Sequence, residues 1–156
     1  MANIDLKTPK DPLEQRDTEF RFSEHGLRFS TQFSTPGVHP YNELSWELRT
    51  ASIGNDKGEV IFEQTDVEVP VTWSQQATNV VVSKYFHGQL GSEQRESSVR
   101  QLISRVADTI ARWGMEQSYF VDFEAGQNFH AELVSILVNQ RAAFNSPVWF
   151  NVGCED

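Results

Sequence analysis

The sequence predicts an α+β domain that is mainly helical, in which a β-hairpin precedes three helices. Apolar and polar residues alternate at 46–53 and again at 60–69, on either side of a turn-forming segment at 55–58, and this arrangement is typical of a hairpin. Apolar side chains then recur at steps of three and four at 99–113 and again at 129–144, which is the period of an amphipathic helix. Two such helices joined by a short connection favour an antiparallel pair.

The composition is that of an acidic protein large enough to bury a core. The chain has 156 residues and a formal net charge of −9, which argues against non-specific binding to nucleic-acid phosphates because that needs clustered Lys and Arg. The N-terminus lacks the apolar centre of a signal peptide, and no run approaches the roughly 18 apolar residues of a membrane span. We therefore expect a cytoplasmic protein that binds neither nucleic acid nor membrane.

The first 34 residues are polar and irregular. Pro9 and Pro12 interrupt any period, and four phenylalanines are spaced without a helical stripe, at positions 20, 22, 29 and 33. This composition favours an N-terminal arm, which is ordered only against a partner surface or is a flexible leader. The residues alone leave both interpretations open.

The predicted hairpin follows a turn segment at 35–40 that contains two prolines and a glycine. In its first strand, Trp46, Leu48 and Ile53 are expected to contribute to one packed surface, although the alternation slips near Ala51. The return strand is expected to end at Pro70, because proline cannot donate to a strand ladder.

The first predicted helix covers 73–86. Thr72 is its expected N-cap, since Gln75 follows three residues later as a capping box requires. The run of valines at 80–82 lowers helix propensity, so a strand at this position stays an alternative.

The second and third helices have clearer signals. The second is expected to begin after Ser97 or Ser98 and to end at Gly114, a natural C-terminal cap. The third is expected to run from 124 or 127 to 143.

A polar corner and a short apolar run follow the third helix. The run at 148–152 is typical of a strand buried on both faces, and Gly153 closes it. Pro147 biases the backbone of Ser146 towards an extended conformation. The side chains of Asn145 and Ser146 either satisfy the last helix carbonyls or present polar groups to a ligand, and both interpretations stay open.

Local spacing offers no catalytic or metal site. None of the four histidines has a partner at metal-ligand spacing, and His130, near the start of a helix, is expected to lie on the surface. Cys154 is the single cysteine, so no intrachain disulfide and no cysteine-based zinc site is possible. We interpret it as an incidental buried or linker thiol.

The run at 139–153, Asn-Gln-Arg-Ala-Ala-Phe-Asn-Ser-Pro-Val-Trp-Phe-Asn-Val-Gly, closely resembles the N-terminal part of vitamin B12-dependent (class II) ribonucleotide reductases. Further stretches that look like this family are 35–41, 46–49, 67–70, 73–75, 79–86, 98–103 and 112–114. The resemblance covers about residues 35–156.

The resemblance implies a parent enzyme that reduces ribonucleotides to 2′-deoxyribonucleotides. We expect a vitamin B12-dependent ribonucleoside-diphosphate reductase, although the resemblance does not decide between diphosphate and triphosphate substrates. In this family adenosylcobalamin supplies a radical that passes to a cysteine at the centre of an α/β barrel. The parent enzyme would bind this cofactor, and this segment alone would not. The implied division is an arm at 1–34, the family's N-terminal domain at 35–144, and the start of a truncated barrel at 145–156, including its first strand.

The resemblance also implies one substrate contact. The serine that matches Ser146 touches the bound nucleotide, and we carry over Ser146 with Asn145 and Pro147 as its supporting neighbours. No catalytic residue is carried over, because the family's first redox cysteine lies in a Ser-Ala-Cys-like segment and Cys154 does not. The polypeptide alone is therefore expected to be inactive.

The expected partners are the remainder of the reductase barrel, in the same chain or as a split partner, and a ribonucleotide substrate. An alternative from a different class is a stand-alone helical interaction module that binds a protein partner.

Overall fold

The computed structural model describes residues 20–154, and the predicted α+β class is confirmed there. A short 3-10 helix precedes a two-stranded sheet, and four α-helices follow. In chain order the elements are the 3-10 helix Pro40–Glu43, β1 Trp46–Gly54, β2 Val60–Pro70, α1 Gln75–Tyr85, α2 Val99–Glu116, α3 Phe123–Val138 and α4 Ser146–Asn151.

Strands β1 and β2 form the predicted antiparallel hairpin, paired from Trp46↔Pro70 to Gly54↔Val60. One register shift lies between Arg49 and Ala51, where the sequence pattern slips. The prediction that Leu48 belongs to the packed surface is wrong, because this side chain is 60% exposed. The buried Val67 lies opposite Arg49, and directly opposite residues share a face of the sheet. Leu48 is the neighbour of Arg49 in the strand, so its side chain points to the other, exposed face.

Helix α1 is confirmed, but its N-cap is not Thr72. Ser74 occupies that position, and its hydroxyl accepts a hydrogen bond from the backbone N–H of Ala77 at 3.0 Å. Thr72 instead lies in the turn after β2. A hydrogen bond from the N–H of Trp73 to the carbonyl of Pro70 closes this turn. The valine run is helical because the fully buried Val82 packs into the main core.

Helix α2 begins as expected and ends later than expected. Ser98 is its N-cap, in a complete capping box with Gln101. The helix continues through Gly114 to Glu116, so the prediction of a C-terminal cap at Gly114 is wrong. The ring of Phe120 lies against Gly114, where a Cβ atom would meet it at 2.6 Å. This glycine therefore makes room for a side chain and does not end the helix.

Helix α3 is shorter than predicted. Asp122 caps its start by accepting a hydrogen bond from the N–H of Ala125, and the helix ends at Val138, five residues before the expected position. The reason is that Gln140 adopts a left-handed conformation with φ +54°. Its N–H then turns back to the carbonyl of Leu137, as at many helix ends.

Helices α2 and α3 form the expected antiparallel pair. Met115, near the end of α2, lies against Gly126 near the start of α3. Asp108, two turns earlier in α2, contacts His130 one turn later in α3. The opposite order of these two contacts gives the helices opposite directions.

The described part of the N-terminal arm, residues 20–34, lies against helices of its own chain. Phe20 and Phe29 pack on a small buried cluster around Met115 and Phe120, and Leu27 forms an isolated β-bridge with Phe120. The rest of the predicted arm, residues 1–19, lies outside the described residues.

The predicted strand at 148–152 is wrong, since this segment forms helix α4. Short apolar runs fit either structure, and β1 and β2 are the only strands in the described part of the chain. A helix satisfies its backbone groups within itself, and proline is well tolerated in the first helical turn. Pro147 occupies that turn, while Trp149 is buried and donates its indole N–H to the carbonyl of Phe144.

None of the helices within residues 20–154 combines the length and the apolarity that crossing a membrane requires.

Candidate functional site

The polar corner predicted from the sequence lies at the start of α4. Asn145 is the N-cap residue, with an extended backbone, and its exposed side chain makes no capping hydrogen bond. Ser146 is half-buried as the first helical residue, and Pro147 is exposed. The amide of Asn145 therefore does not satisfy the helix end and faces outward, where a ligand could reach it.

The hydroxyl of Ser146 is held by a residue of α1. The phenolic oxygen of Tyr85 lies 3.1 Å from the Oγ of Ser146, across 61 positions of sequence. The ring of Tyr85 in turn packs against Phe150 and Trp149, at centroid distances of 5.4 and 6.5 Å. The last turn of α1 and the first turn of α4 thus meet at this hydroxyl pair.

An apolar cavity of about 310 Å³ lies beside this pair. Its walls come from α1, α2, α3 and the segment that leads to α4. Tyr85, Phe144 and Trp149 line the side nearest the corner, and Gln140 adds an amide group. Cavities of this size are at the lower end of those that bind small ligands.

The guanidinium of Arg105 fixes the other end of α4. It donates to the backbone carbonyls of Trp149 and Val152 at 3.1 and 2.9 Å, and to the carbonyl of Tyr85 at 3.3 Å. Its Nε lies 2.8 Å from the carboxylate of Glu96. One largely buried side chain therefore joins the ends of α1 and α4 to α2.

The two residues after Val152 also contact Arg105. Gly153 has φ +71°, and an added Cβ would collide with the carbonyl oxygen of Arg105 and with the Oγ of Thr109. Cys154 is half-buried, with its Sγ 3.1 Å from Nη1 of Arg105. The chain can pass this close to α2 only because position 153 lacks a side chain.

His130 is not on the surface as predicted. It is 7% exposed, and its Nε2 lies 2.6 Å from a carboxylate oxygen of Asp108. The residue faces α2 because the two helices pack tightly, and Asp108 satisfies the buried ring nitrogen. A partner 22 positions away could not be found from local spacing.

Glu132 is a buried carboxylate whose role the sequence did not indicate. It accepts hydrogen bonds from the backbone N–H groups of Phe33 and Ser34, and from the hydroxyl of Ser34 at 2.6 Å. Burial alone would raise the pKa of Glu132. The hydrogen bonds from Ser34 and from the backbone outweigh burial and hold this pKa below its usual value. The carboxylate therefore fastens the N-terminal segment to α3.

These features define an α+β domain whose outward polar groups, Asn145 and Ser146, lie at one corner beside an apolar cavity. Within residues 20–154, no group of three or more His, Cys, Asp and Glu side chains could hold a metal ion.

A family model described as class II vitamin B12-dependent ribonucleotide reductase matches residues 47–140. The chain belongs to this family, which confirms the resemblance recognised from the sequence.

Three relatives support the assignment, and all are named vitamin B12-dependent ribonucleotide reductase. The protein of Rhodopirellula baltica is 49% identical over 142 residues, which cover 90% of this chain and 14% of that protein. The protein of Streptomyces clavuligerus is 43% identical, with 94% and 15% covered. The protein of Bradyrhizobium diazoefficiens is 32% identical, with 81% and 13% covered. The chain therefore spans about 14% of the length of the first of these relatives.

Proposed function

We propose that this chain is the N-terminal part of a cobalamin-dependent enzyme that reduces ribonucleotides to 2′-deoxyribonucleotides. The observation that carries the proposal is the 49% identity to a vitamin B12-dependent ribonucleotide reductase over 90% of the chain. In this proposal, residues 35–144 form the domain that supports the catalytic barrel, and residues 145–156 enter the barrel. The enzyme acts in the cytoplasm.

The chain's own contribution to the reaction is one substrate contact. The hydroxyl of Ser146 and the amide of Asn145 hold a phosphate or ribose oxygen of the ribonucleotide, and Pro147 stiffens the backbone in the first turn of α4. The exposed, uncapped side chain of Asn145 and the fixed position of Ser146 support this assignment. Such contacts lower the free energy of the bound substrate and orient it, but they do not perform radical chemistry.

The cofactor belongs to the remainder of the enzyme. Adenosylcobalamin would supply the radical that starts the reaction, and the cavity of about 310 Å³ beside Tyr85 is far too small for a corrinoid ring with its adenosyl group. The residues lining this cavity are mainly apolar, which also does not fit the many polar groups of the corrin. We therefore assign no residue of this chain to cofactor binding.

The required partner is the remainder of the reductase barrel, in the same chain or as a separate polypeptide. Nucleic acid and membranes are not expected partners, because the net charge of −9 opposes binding to phosphate-rich surfaces.

A second candidate function is a helical interaction module that binds a different protein. Exposed apolar side chains on the hairpin favour it, since Leu48, Val60 and Ile61 are 60 to 66% exposed. Exposed apolar surface is typical of sites that another protein covers; Val60 and Ile61 are neighbours at the turn end of the hairpin, and Leu48 lies towards its other end. The barrel of a reductase could also cover them, so this observation does not displace the first proposal.

The first test is to read the coding DNA past codon 156 and through the neighbouring reading frame. We expect a barrel sequence with redox cysteines, in frame or in an adjacent gene. The reductase that contains this segment should then convert ribonucleotides to deoxyribonucleotides only when adenosylcobalamin and a reductant are supplied. Absence of a barrel sequence, or of cobalamin-dependent product, would refute the enzymatic proposal and leave the interaction module.

A further inference from the structure

We propose that Tyr85 is a positioning residue for substrate binding, because its phenolic hydroxyl fixes the hydroxyl of Ser146 at the start of α4. This inference rests on the proposed function and deepens it. It assigns a role to a residue that lies on a different helix from the predicted substrate contact and 61 positions away from it.

The first argument is that the contact is specific. The two hydroxyl oxygens lie 3.1 Å apart, and both side chains are half-buried. A serine hydroxyl on an exposed first turn would rotate among its staggered positions. A hydrogen bond to Tyr85 selects one of them, so part of the entropy cost of binding a ligand is removed in advance.

The second argument is that Tyr85 is itself held firmly. Its ring packs on Phe150 and Trp149 of α4, and its backbone carbonyl accepts a hydrogen bond from Arg105. The same guanidinium binds the carbonyls of Trp149 and Val152. Both partners of the hydroxyl pair are therefore anchored to one side chain of α2.

The third argument is chemical. When the phenol donates to the Oγ of Ser146, the serine proton is left to donate to an oxygen of the substrate. Successive hydrogen bonds polarise one another, so the serine becomes a better donor towards a phosphate or ribose oxygen. No bond is made or broken by Tyr85 in this arrangement, and its effect reaches the substrate only through Ser146.

The test uses the complete reductase that contains this segment, together with adenosylcobalamin and its reductant. Replacement Tyr85→Phe keeps the ring and removes only the hydroxyl. We expect KM for the ribonucleotide to rise about three- to tenfold, the range of one hydrogen bond, with kcat unchanged, since a contact made equally in the bound and transition states affects KM alone. Tyr119→Phe is the matched control, because this tyrosine is 57% exposed and lies in the connection between α2 and α3, where its backbone bonds to Leu27 and Gly114.

A double-mutant cycle separates positioning from general destabilisation. We expect Ser146→Ala to raise KM at least as much as Tyr85→Phe, and Tyr85→Phe to add nothing in the Ser146→Ala background. An equal effect of Tyr85→Phe in both backgrounds would overturn the inference, as would an unchanged KM accompanied only by a lower unfolding midpoint. A reductase with wild-type sequence that forms no deoxyribonucleotide would instead overturn the proposed function, and this inference with it.

Discussion

The guanidinium of Arg105 lies 2.8 Å from the carboxylate of Glu96, and the two side chains are only 10% and 9% exposed. The other groups of both side chains are also satisfied. Glu96 accepts a hydrogen bond from the N–H of His87, and Arg105 donates to the carbonyl of Val152. A buried ion pair is favourable only when such additional hydrogen bonds offset the loss of hydration.

Replacing Glu96 with glutamine should strongly destabilise the fold. The buried guanidinium would lose its counter-charge, and breaking a buried pair in this way costs about 3–5 kcal/mol. The measurement is urea unfolding of the 156-residue chain, followed by circular dichroism.

The matched control is Glu116→Gln. Glu116 pairs with Arg112 at 3.7 Å, and their side chains are 33% and 44% exposed. Exposed pairs of this spacing contribute about 0.5 kcal/mol or less. Equal losses of stability in the two variants would show that the pair of Arg105 is not buried in solution.

Glu132→Gln should lower stability in a pH-dependent way. The pKa of Glu132 is lowered in the folded chain, so its contribution is present above the unfolded pKa and is lost as pH falls through the folded pKa. At pH 7 we expect a loss of about 1–3 kcal/mol, because a charged acceptor of three donors is removed. The difference between the variant and wild type should shrink as the solution is acidified.

Unfolding curves between neutral pH and about pH 3 would measure this difference, across the range in which a lowered glutamate pKa falls. Glu63→Gln is a suitable control, because Glu63 is an exposed residue of β2. A loss of stability that is the same at every pH would contradict the assigned role of the Glu132 carboxylate.

The elements that sequence predicts well are those specified by neighbouring residues. The hairpin follows from alternation on both sides of a turn, and the start of α2 follows from the pair Ser98 and Gln101, which satisfies the first N–H groups locally. The helix ends are different. Gly114 is the residue type that commonly caps a helix, yet the ring of Phe120 occupies the space beside it. Phe29 and Phe129 pack against that ring from outside α2, so its position depends on tertiary packing.

The candidate site shows the same division between local and distant information. The corner at Asn145 and Ser146 could be selected from the sequence, because polar residues before a proline have a local meaning. Tyr85 and Arg105 could not be selected, since they lie 61 and 41 positions before Ser146. Packing of the helices brings Tyr85 to Ser146 and Arg105 to the other end of α4. The secondary structure at 148–152 was also predicted wrongly, because a short apolar run does not distinguish strand from helix.

The observed N-cap of α1 gives a simple comparison of two hydroxyl residues. Ser74→Ala removes the acceptor for the N–H of Ala77 and should cost about 1 kcal/mol. Thr72→Ala should change the free energy of unfolding by less than about 0.5 kcal/mol, since Thr72 is exposed and precedes the cap. Denaturant unfolding measures both. A larger effect at Thr72 than at Ser74 would favour the capping box that the sequence suggested.

Gly153→Ala should release α4 from α2. The alanine would adopt a left-handed φ of +71° and would bring its Cβ against the Arg105 carbonyl and Thr109, which together cost about 2–4 kcal/mol. Because Arg105 and the close approach at Gly153 hold this end of α4, we expect its backbone amides to exchange with solvent at least about tenfold faster, measured by hydrogen–deuterium exchange. Gly37→Ala is the control, since Gly37 has a similar φ of +76° and no atom within 4 Å of an added Cβ. Its strain should leave exchange in α4 unchanged, and equal acceleration by both variants would mean that close contact with Arg105 does not hold the helix.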